Sequence, residues 1–282
     1  MTELDPKRDR TVVISGGGSG IGQATAVKFG ELGWRVGVGG RRPEPLTETK
    51  SLVEAAGGTC VAHHLDVSDA ASVEAFFNAT ETALGPVTAV VNNAALGRYY
   101  PLVEFPPEQI EREVATKLLG SLYMARRGIQ GMQADGRGGD ILFVTSLAAV
   151  QPWPRHLPYA AANAGVEQAA RTLRLELEGS GIRVTTMRCG ETAGTEFGLP
   201  EQESGRGAEA SELWFRRGLL RHTGLMMPDM VADVIVTAIT LPLGLQFDTL
   251  APIPTAPIGE LPVTFAEWGE TMMRTYLPPE EG

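Results

Sequence analysis

The segment PYAAANAGVEQAARTL contains two side chains whose types and spacing could support chemistry. Tyr159 and Asn163 are four residues apart, which is about one helical turn, so the phenol and the amide are predicted to lie on one helical face. Two interpretations are open at this point. The pair is either part of an active site from which a charge is missing, or a polar stripe on an ordinary helix.

A second candidate site is the glycine-rich turn SGGGSGIG at residues 15–22, which follows a predicted strand and opens a predicted helix. Gly16 and Gly20 are expected to permit a tight turn with close backbone approach, and Gly22 to let the helix press on the sheet. Main-chain N–H groups would then face the pyrophosphate of a dinucleotide. A flexible turn is the alternative, but the strand before it and the helix after it favour the dinucleotide site.

The end of the second predicted strand indicates which dinucleotide is preferred. Gly40 offers no carboxylate to a ribose 2′-hydroxyl, whereas Arg41 and Arg42 offer guanidinium donors that suit a 2′-phosphate. We therefore expect the cofactor to be NADP(H) rather than NAD(H). The alternative is that both arginines are solvated in a surface loop.

Three further candidates follow predicted strands. Asp66 comes after the third strand, and Asn93 and Ala94 come after the fourth. Ligands of parallel sheets bind at the carboxyl ends of the strands, so these residues are candidate cofactor contacts. A capping or turn role is an equal alternative for each of them.

Short β-branched runs alternate with longer helical patterns, which predicts a doubly wound, Rossmann-type α/β domain with helices on both faces of a parallel sheet. Residues 1–282 are interpreted as one domain, because the chain shows no linker or repeat. Seven strands are predicted at 11–16, 35–40, 59–67, 88–94, 140–146, 182–190 and near 246–252. Helices are predicted at 20–33, 69–84, 108–134, 158–179 and 228–241.

Two segments outside this alternation are expected to border the site. Residues 191–227 form a long excursion rich in Gly and Glu, interpreted as a substrate lid, with local disorder as the alternative. The Pro-rich tail at 253–282 contains an amphipathic stretch at 264–276. This stretch could close a pocket or pack on a neighbouring subunit.

Charge and composition exclude several classes of partner. The net charge is −10 and there is no basic run, so nucleic acid and anionic membrane surfaces are not expected as partners. The polar start lacks the apolar core of a signal peptide, no segment has the uncharged length of a membrane span, and we expect a cytoplasmic protein. Cys60 and Cys189 lack CxxC spacing and the four histidines form no HExxH pattern, so no metal is expected.

Together these motifs resemble the short-chain dehydrogenase/reductase family over roughly residues 10–255. The resemblance rests on the GxxxGxG turn, LDV at 65–67, NNAA at 92–95, and Ser146 followed thirteen residues later by Tyr159. It implies an NAD(P)-dependent oxidoreductase, often dimeric or tetrameric, that acts on the carbonyl or alcohol of an apolar small molecule. It also implies that Tyr159 is the proton donor and that Ser146 orients the substrate carbonyl.

Two positions depart from the family pattern in a complementary way. The family usually has lysine four residues after the tyrosine and asparagine in the long helix before the fifth strand, whereas this chain has Asn163 and Lys117. The usual lysine binds the nicotinamide ribose and lowers the phenol pKa from about 10. The exchange is similar to that in ketoreductase domains of modular polyketide synthases.

That similarity implies that Lys117 supplies the charge from the neighbouring helix, and that Asn163 holds the ribose or a proton-relay water. The alternative is that Lys117 extends into solvent, and that the chain is a catalytically impaired NADP(H)-binding regulator or scaffold.

The resemblance extends to the segment GETAGT at 190–195, which is similar to the segment that covers the nicotinamide. Thr192 and Thr195 are candidate cofactor contacts, and ordinary turn hydroxyls are an equal possibility. Leu147, Trp153 and Phe197 are predicted to line an apolar substrate pocket. The complete predicted cofactor set is Ser15, Gly16, Gly18, Ser19, Gly20, Ile21, Gly22, Arg41, Arg42, Asp66, Val67, Asn93, Ala94, Ala95, Gly190, Thr192 and Thr195.

Overall fold

The strands form one parallel sheet in a computed structural model that describes residues 10–197 and 204–276. They are β1 (Thr11–Ser15), β2 (Arg35–Gly40), β3 (Thr59–His64), β4 (Ala89–Asn92), β5 (Gly139–Ser146), β6 (Ile182–Cys189) and β7 (Thr249–Leu250). Their order is β3-β2-β1-β4-β5-β6-β7, and all neighbours pair in parallel. The predicted seven-stranded parallel sheet is confirmed. The predicted lid and tail extend partly outside the described residues.

The helices cover both faces of this sheet. They are α1 (Gly20–Glu31), α2 (Pro43–Ala55), α3 (Ala70–Leu84), α4 (Pro107–Val114), α5 (Gly120–Asp135), α6 (Leu157–Glu176), α7 (Arg206–Arg216), α8 (Pro228–Ile239) and α9 (Phe265–Tyr276). Of those in the described part of the chain, none combines the length and the apolar character needed to cross a membrane.

Two helices were not predicted from the sequence. In α2, Pro43 lies in the first turn, where a missing N–H has no helical partner to lose, and Leu46 and Val53 face the core. Because proline is unfavourable in the interior of a helix, its presence did not indicate a helix in this segment. The other helix, α7, lies inside the predicted lid and buries Ala210 and Trp214.

Burial on both faces explains the continuous apolar runs of the strands. Val12 and Ile14 belong to one core cluster and Val13 belongs to the other, and all three side chains are fully buried. Successive side chains of a strand point to opposite faces, so a sheet covered on both faces needs apolar residues at every position.

A π-turn interrupts the long helical stretch that the sequence predicted at 108–134. The turn covers Ala115–Leu119 and joins α4 to α5. It contains Lys117, which is 1% exposed. Such turns inside α-helices are frequent at functional sites, because the extra residue changes the direction of the side chains.

A buried carboxylate fastens α6 to the two strands beside it. Glu167 is 2% exposed and accepts hydrogen bonds from Thr145 Oγ1 at 3.0 Å and from Arg188 Nε at 2.8 Å. Thr145 directly precedes Ser146, the last residue of β5, and Arg188 directly precedes Cys189, the last residue of β6. The carboxylate therefore holds the helix that carries the predicted proton donor against the strands that end at the site.

Replacing Glu167 with alanine should destabilise the fold, because Arg188 and Thr145 would lose their buried acceptor. We expect the free energy of unfolding to fall by about 3 kcal/mol, measured by urea denaturation. Glu176→Ala, on the exposed end of the same helix, is the control and should change it by less than about 0.5 kcal/mol. Equal effects of the two substitutions would contradict this role.

Candidate active site

A cavity of 1270 Å³ lies at the carboxyl ends of the strands. It brings together most of the residues predicted from the sequence, including Leu147, Trp153 and Phe197 of the expected apolar lining. Three predicted residues, Ser15, Gly22 and Asn163, do not line it. Those that do are Gly16, Gly18, Ser19, Gly20, Ile21, Arg41, Arg42, Asp66, Val67, Asn93, Ala94, Ala95, Lys117, Ser146, Tyr159, Gly190, Thr192 and Thr195.

The glycine turn requires its glycines. Gly16 has φ +66° and Gly20 has φ +52°, a conformation that L-residues with side chains rarely adopt. A Cβ on Gly22 would lie 2.1 Å from the Gly16 carbonyl oxygen and 2.7 Å from Asn93 Nδ2. Gly22 therefore lets the helix pack closely on the residues that directly follow β1 and β4.

The turn fits the pyrophosphate of a dinucleotide. Ser19 is the N-cap of α1, its side chain makes no capping hydrogen bond, and the first turn of that helix has no acidic residue. Main-chain N–H groups at a helix N-terminus attract anions, and the helix dipole adds to this attraction. The Gly-lined cradle therefore provides donors and space for a diphosphate.

Hydrogen bonds clasp the ends of β1 and β4 together beneath this cradle. Ser15 Oγ accepts from the main-chain N–H groups of Asn93 and Ala94, each at 3.1 Å. Asn93 Nδ2 donates to the carbonyl oxygens of Ser15 at 3.1 Å and Gly16 at 3.2 Å. Ser15 is 2% exposed, so it supports the turn and is not the cofactor contact that was predicted.

Asp66 has the turn role that the sequence left open. Its Oδ1 accepts from Ser68 N at 3.0 Å and from Ser68 Oγ at 2.6 Å. These bonds hold the pKa of Asp66 below its usual value, and the charge of Arg41 lowers it further. Asp66 also lines the cavity, so its role as a cofactor contact stays a prediction.

Arg42 takes part in an ion pair across the mouth of the cavity. Its guanidinium donates to the Glu196 carboxylate, which also accepts from Ser19 Oγ at 3.1 Å. The hydrogen bond from Arg42 is the largest cause that lowers the pKa of Glu196. Sequence reasoning missed Glu196, because 154 residues separate it from Arg42.

The base of the predicted lid is fixed above the glycine turn. Ala193 N donates to Met226 O at 2.9 Å, and Met226 N donates to Glu191 O at 2.9 Å. Thr195 packs against the turn, with its Cγ2 3.2 Å from the position that a Cβ on Gly20 would take. Thr192 Oγ1 donates to Gly190 O at 3.1 Å, which is the turn role left open for it.

Ser146 and Tyr159 meet at the deep end of the cavity. Ser146 ends β5, and its Oγ accepts from Ala148 N at 3.2 Å. Burial raises the pKa of Tyr159, while the polar side chains of Ser146 and Asn163 act in the opposite direction. The acidified phenol expected from the sequence is therefore wrong for this structure, in which burial outweighs the polar neighbours.

Lys117 is buried in the wall of the same cavity. Its ammonium donates to the Val144 carbonyl oxygen, and desolvation lowers its pKa to about 8, while Cys189 raises it. The alternative in which this side chain extends into solvent is wrong. Cys189 also lines this cavity, and it raises the pKa of both Lys117 and Tyr159.

Aromatic rings line the cavity near the phenol, and among them only Trp153 and Phe197 were predicted from the sequence. The His156 ring stacks on Tyr159 with centroids 4.3 Å apart and an interplanar angle of 14°. Burial lowers the pKa of His156 to about 4, so the imidazole is neutral at pH 7. We call this group the aromatic wall, and it consists of Tyr99, Trp153, His156, Phe197 and Trp214.

Comparison with known proteins assigns the family. The model of the short chain dehydrogenase family matches residues 10–204. The chain belongs to the short-chain dehydrogenase/reductase family. Over 240 residues the chain is 33% identical to the "Probable oxidoreductase EphD" of Mycobacterium tuberculosis, covering 82% of this chain and 39% of that protein. It thus spans well under half of the length of that relative.

Two further relatives agree with this assignment. The chain is 34% identical to 3beta-hydroxysteroid dehydrogenase 1 of Eggerthella lenta over 187 residues, covering 66% of this chain and 72% of that protein. The crystal structure of a single-residue variant of actinorhodin polyketide ketoreductase with NADPH matches with a TM-score of 0.78 and 25% identity, covering 87% of this chain and 96% of that chain. The chain is therefore similar to named oxidoreductases of this family.

Asn163 does not line the cavity, so the ribose contact that the resemblance implied is not found, while the alternative role toward a proton-relay water stays a prediction. It is fully buried, and its Nδ2 donates to the Tyr159 carbonyl oxygen at 2.9 Å. Its Oδ1 has no hydrogen-bond partner among the residues that the structure describes. In this position Asn163 supports the helix main chain behind the phenol, and it does not reach the cavity where a ribose would lie.

The buried ammonium of Lys117 should make the stability of the protein depend on pH. Burial lowers its pKa from 10.5 to about 8, so the folded protein binds fewer protons than the unfolded chain between these pH values. The stability of the wild type relative to Lys117→Met should therefore rise by about 3 kcal/mol from pH 8 to 10.5. Urea denaturation across this range measures it, and a difference independent of pH would contradict it.

Proposed function

We propose that the chain is an NADP(H)-dependent ketoreductase or alcohol dehydrogenase. It would transfer hydride between the nicotinamide and a carbonyl or secondary alcohol of an apolar small molecule. The observation that carries this proposal is one cavity that holds Ser146, Tyr159 and the buried Lys117 at one end and the glycine turn at the other. Homodimers or homotetramers and a cytoplasmic location remain part of the proposal.

The residues at the deep end suit proton transfer to a developing alkoxide. The dinucleotide, when bound, supplies or accepts the hydride. The hydroxyls of Ser146 and Tyr159 both lie on the cavity wall, so both can donate to one substrate oxygen as its negative charge develops. The raised pKa of Tyr159 keeps the phenol protonated until that oxygen becomes basic enough to accept the proton.

Lys117 would stabilise the phenolate that remains after this transfer. Its pKa of about 8 leaves most of the ammonium charged at pH 7, and its burial limits screening of that charge by water. This role resembles the relocated lysine of ketoreductase domains. It does not require Lys117 to acidify the phenol before substrate binds.

The preference for NADP(H) is supported by the charges at the other end of the cavity. Arg41 and Arg42 both line it there, and guanidinium groups recognise phosphate through several hydrogen bonds. Among the similar structures, the actinorhodin ketoreductase was crystallised with NADPH. Fluorescence or calorimetric titration with both dinucleotides measures this preference directly.

The aromatic wall favours a flat, apolar ketone or alcohol. Its rings offer faces and edges for packing, and ligand pockets with such linings bind apolar groups through a few polar anchors. The name of the Eggerthella lenta relative refers to a hydroxysteroid, which is a substrate of this shape. We therefore include cyclic and polycyclic ketones in the substrate class.

A panel of ketones and alcohols assayed with NADPH, NADH and their oxidised forms tests the proposal. Absorbance of the reduced nicotinamide reports turnover, and kcat/KM should be higher with the phosphorylated cofactor. Higher efficiency with NADH would contradict the role of Arg41 and Arg42. Tight NADPH binding without turnover of any compound would instead support the regulator or scaffold.

Removing the phenolic hydroxyl by Tyr159→Phe should lower kcat by a factor of at least about 100, because the proton donor is lost. The Kd of NADPH should change by less than about twofold. Tyr123→Phe, on the partly buried surface of α5, is the matched control and should keep its turnover. If Tyr159→Phe kept most of the wild-type kcat, the assignment of the proton donor would be wrong.

A further inference from the structure

The carboxylate of Glu196 lies at the end of the cavity where the 2′-phosphate of NADP(H) is expected. It accepts hydrogen bonds from the Arg42 guanidinium and the Ser19 hydroxyl, which are a predicted phosphate ligand and the N-cap of α1. These donors hold its pKa below the usual value, so the carboxylate is negatively charged at neutral pH. The protein thus places an anion of its own on donors that suit a phosphate.

Neighbouring contacts make this ion pair a specific feature of the site. The preceding residue, Thr195, packs directly against Gly20, and Ala193 is held by the main chain of Met226. These contacts fix the segment that carries Glu196, and from this segment the carboxylate reaches Arg42 across the mouth of the cavity. The two side chains remain 58% and 45% exposed, so a cofactor can reach them.

The two arginines are consequently not equivalent. Arg42 is bound to Glu196, whereas the charge of Arg41 acts on Asp66. A 2′-phosphate that bound Arg42 would have to share the guanidinium with Glu196 or displace it, because two anions at one cation repel each other. A 2′-hydroxyl carries no charge, so it would not repel the Glu196 carboxylate or need to displace it.

We propose that Glu196 sets the selectivity of this protein between phosphorylated and unphosphorylated dinucleotides. Its carboxylate competes with the 2′-phosphate for Arg42 and Ser19, so NADP(H) binds by releasing the pair and NAD(H) binds with the pair intact. Glu196 therefore weakens the preference that the two arginines create. This inference rests on the proposed dinucleotide function and deepens it.

The test compares dinucleotide affinities of the wild type and Glu196→Gln, which keeps the size of the side chain and removes its charge. Titration of protein fluorescence gives the Kd of NADPH and NADH. The ratio of the two should shift by about two- to fivefold toward NADPH, the range that one exposed ion pair supports, with NADH affinity nearly unchanged. Adenosine 2′,5′-bisphosphate and 5′-AMP, which lack the nicotinamide, should show the same shift.

A matched control and a double variant identify the cause. Glu212→Gln removes a carboxylate from another exposed Arg–Glu pair, with Arg216 on α7, and should leave the ratio unchanged. In an Arg42→Ala background, Glu196→Gln should lose most of its effect on the ratio, because the guanidinium for which the carboxylate and the phosphate compete is absent.

Two results would overturn the inference while the proposed function stands. One is that both dinucleotides bind and Glu196→Gln leaves their ratio unchanged. The other is that the full shift persists in the Arg42→Ala background, which would assign it to general charge and not to competition for Arg42. If the wild type binds neither dinucleotide, the proposed function fails, and the inference fails with it.

Discussion

The clasp between the ends of β1 and β4 is the interaction on which the cavity depends. In a parallel sheet all carboxyl ends lie at one edge, and a crevice opens where the chain leaves neighbouring strands in opposite directions. Ser15 and Asn93 close the base of that crevice with hydrogen bonds between side chains and main chain. The glycine turn, which Asn93 also contacts through Gly16, is thereby held at the position where an anion meets the N-terminus of α1.

The opposite end of the cavity depends on burial, which acts on two titratable groups in opposite senses. Desolvation lowers the pKa of Lys117 and raises that of Tyr159, so in each case the neutral form is favoured. Burial of the Lys117 ammonium costs free energy of folding, and packing elsewhere in the protein must offset it. The same arrangement is useful for chemistry, because a negative charge that forms on the phenol finds an unscreened cation in the same cavity wall.

The two ends of the cavity differ in charge, and contacts between residues distant in sequence create this difference. The chain carries a net charge of −10, yet the predicted phosphate end holds two arginines, one of them neutralised by Glu196. Around Tyr159 the surroundings become aromatic, with a neutral imidazole stacked on the phenol. One cavity therefore combines an end with two arginines and a glycine turn with an end lined by aromatic rings.

The sequence by itself determined the features that arise from local periodicity and backbone geometry. The parallel sheet follows from runs of apolar residues, and the cradle follows from Gly16 and Gly20, whose positive φ angles exclude side chains. Only the tertiary structure decided which way Lys117 and Asn163 point, because a π-turn and the packing of α6 set their surroundings. It also decided the pairing of Arg42 with Glu196 and the aromatic wall. These contacts join residues distant along the chain, and no local spacing encodes them.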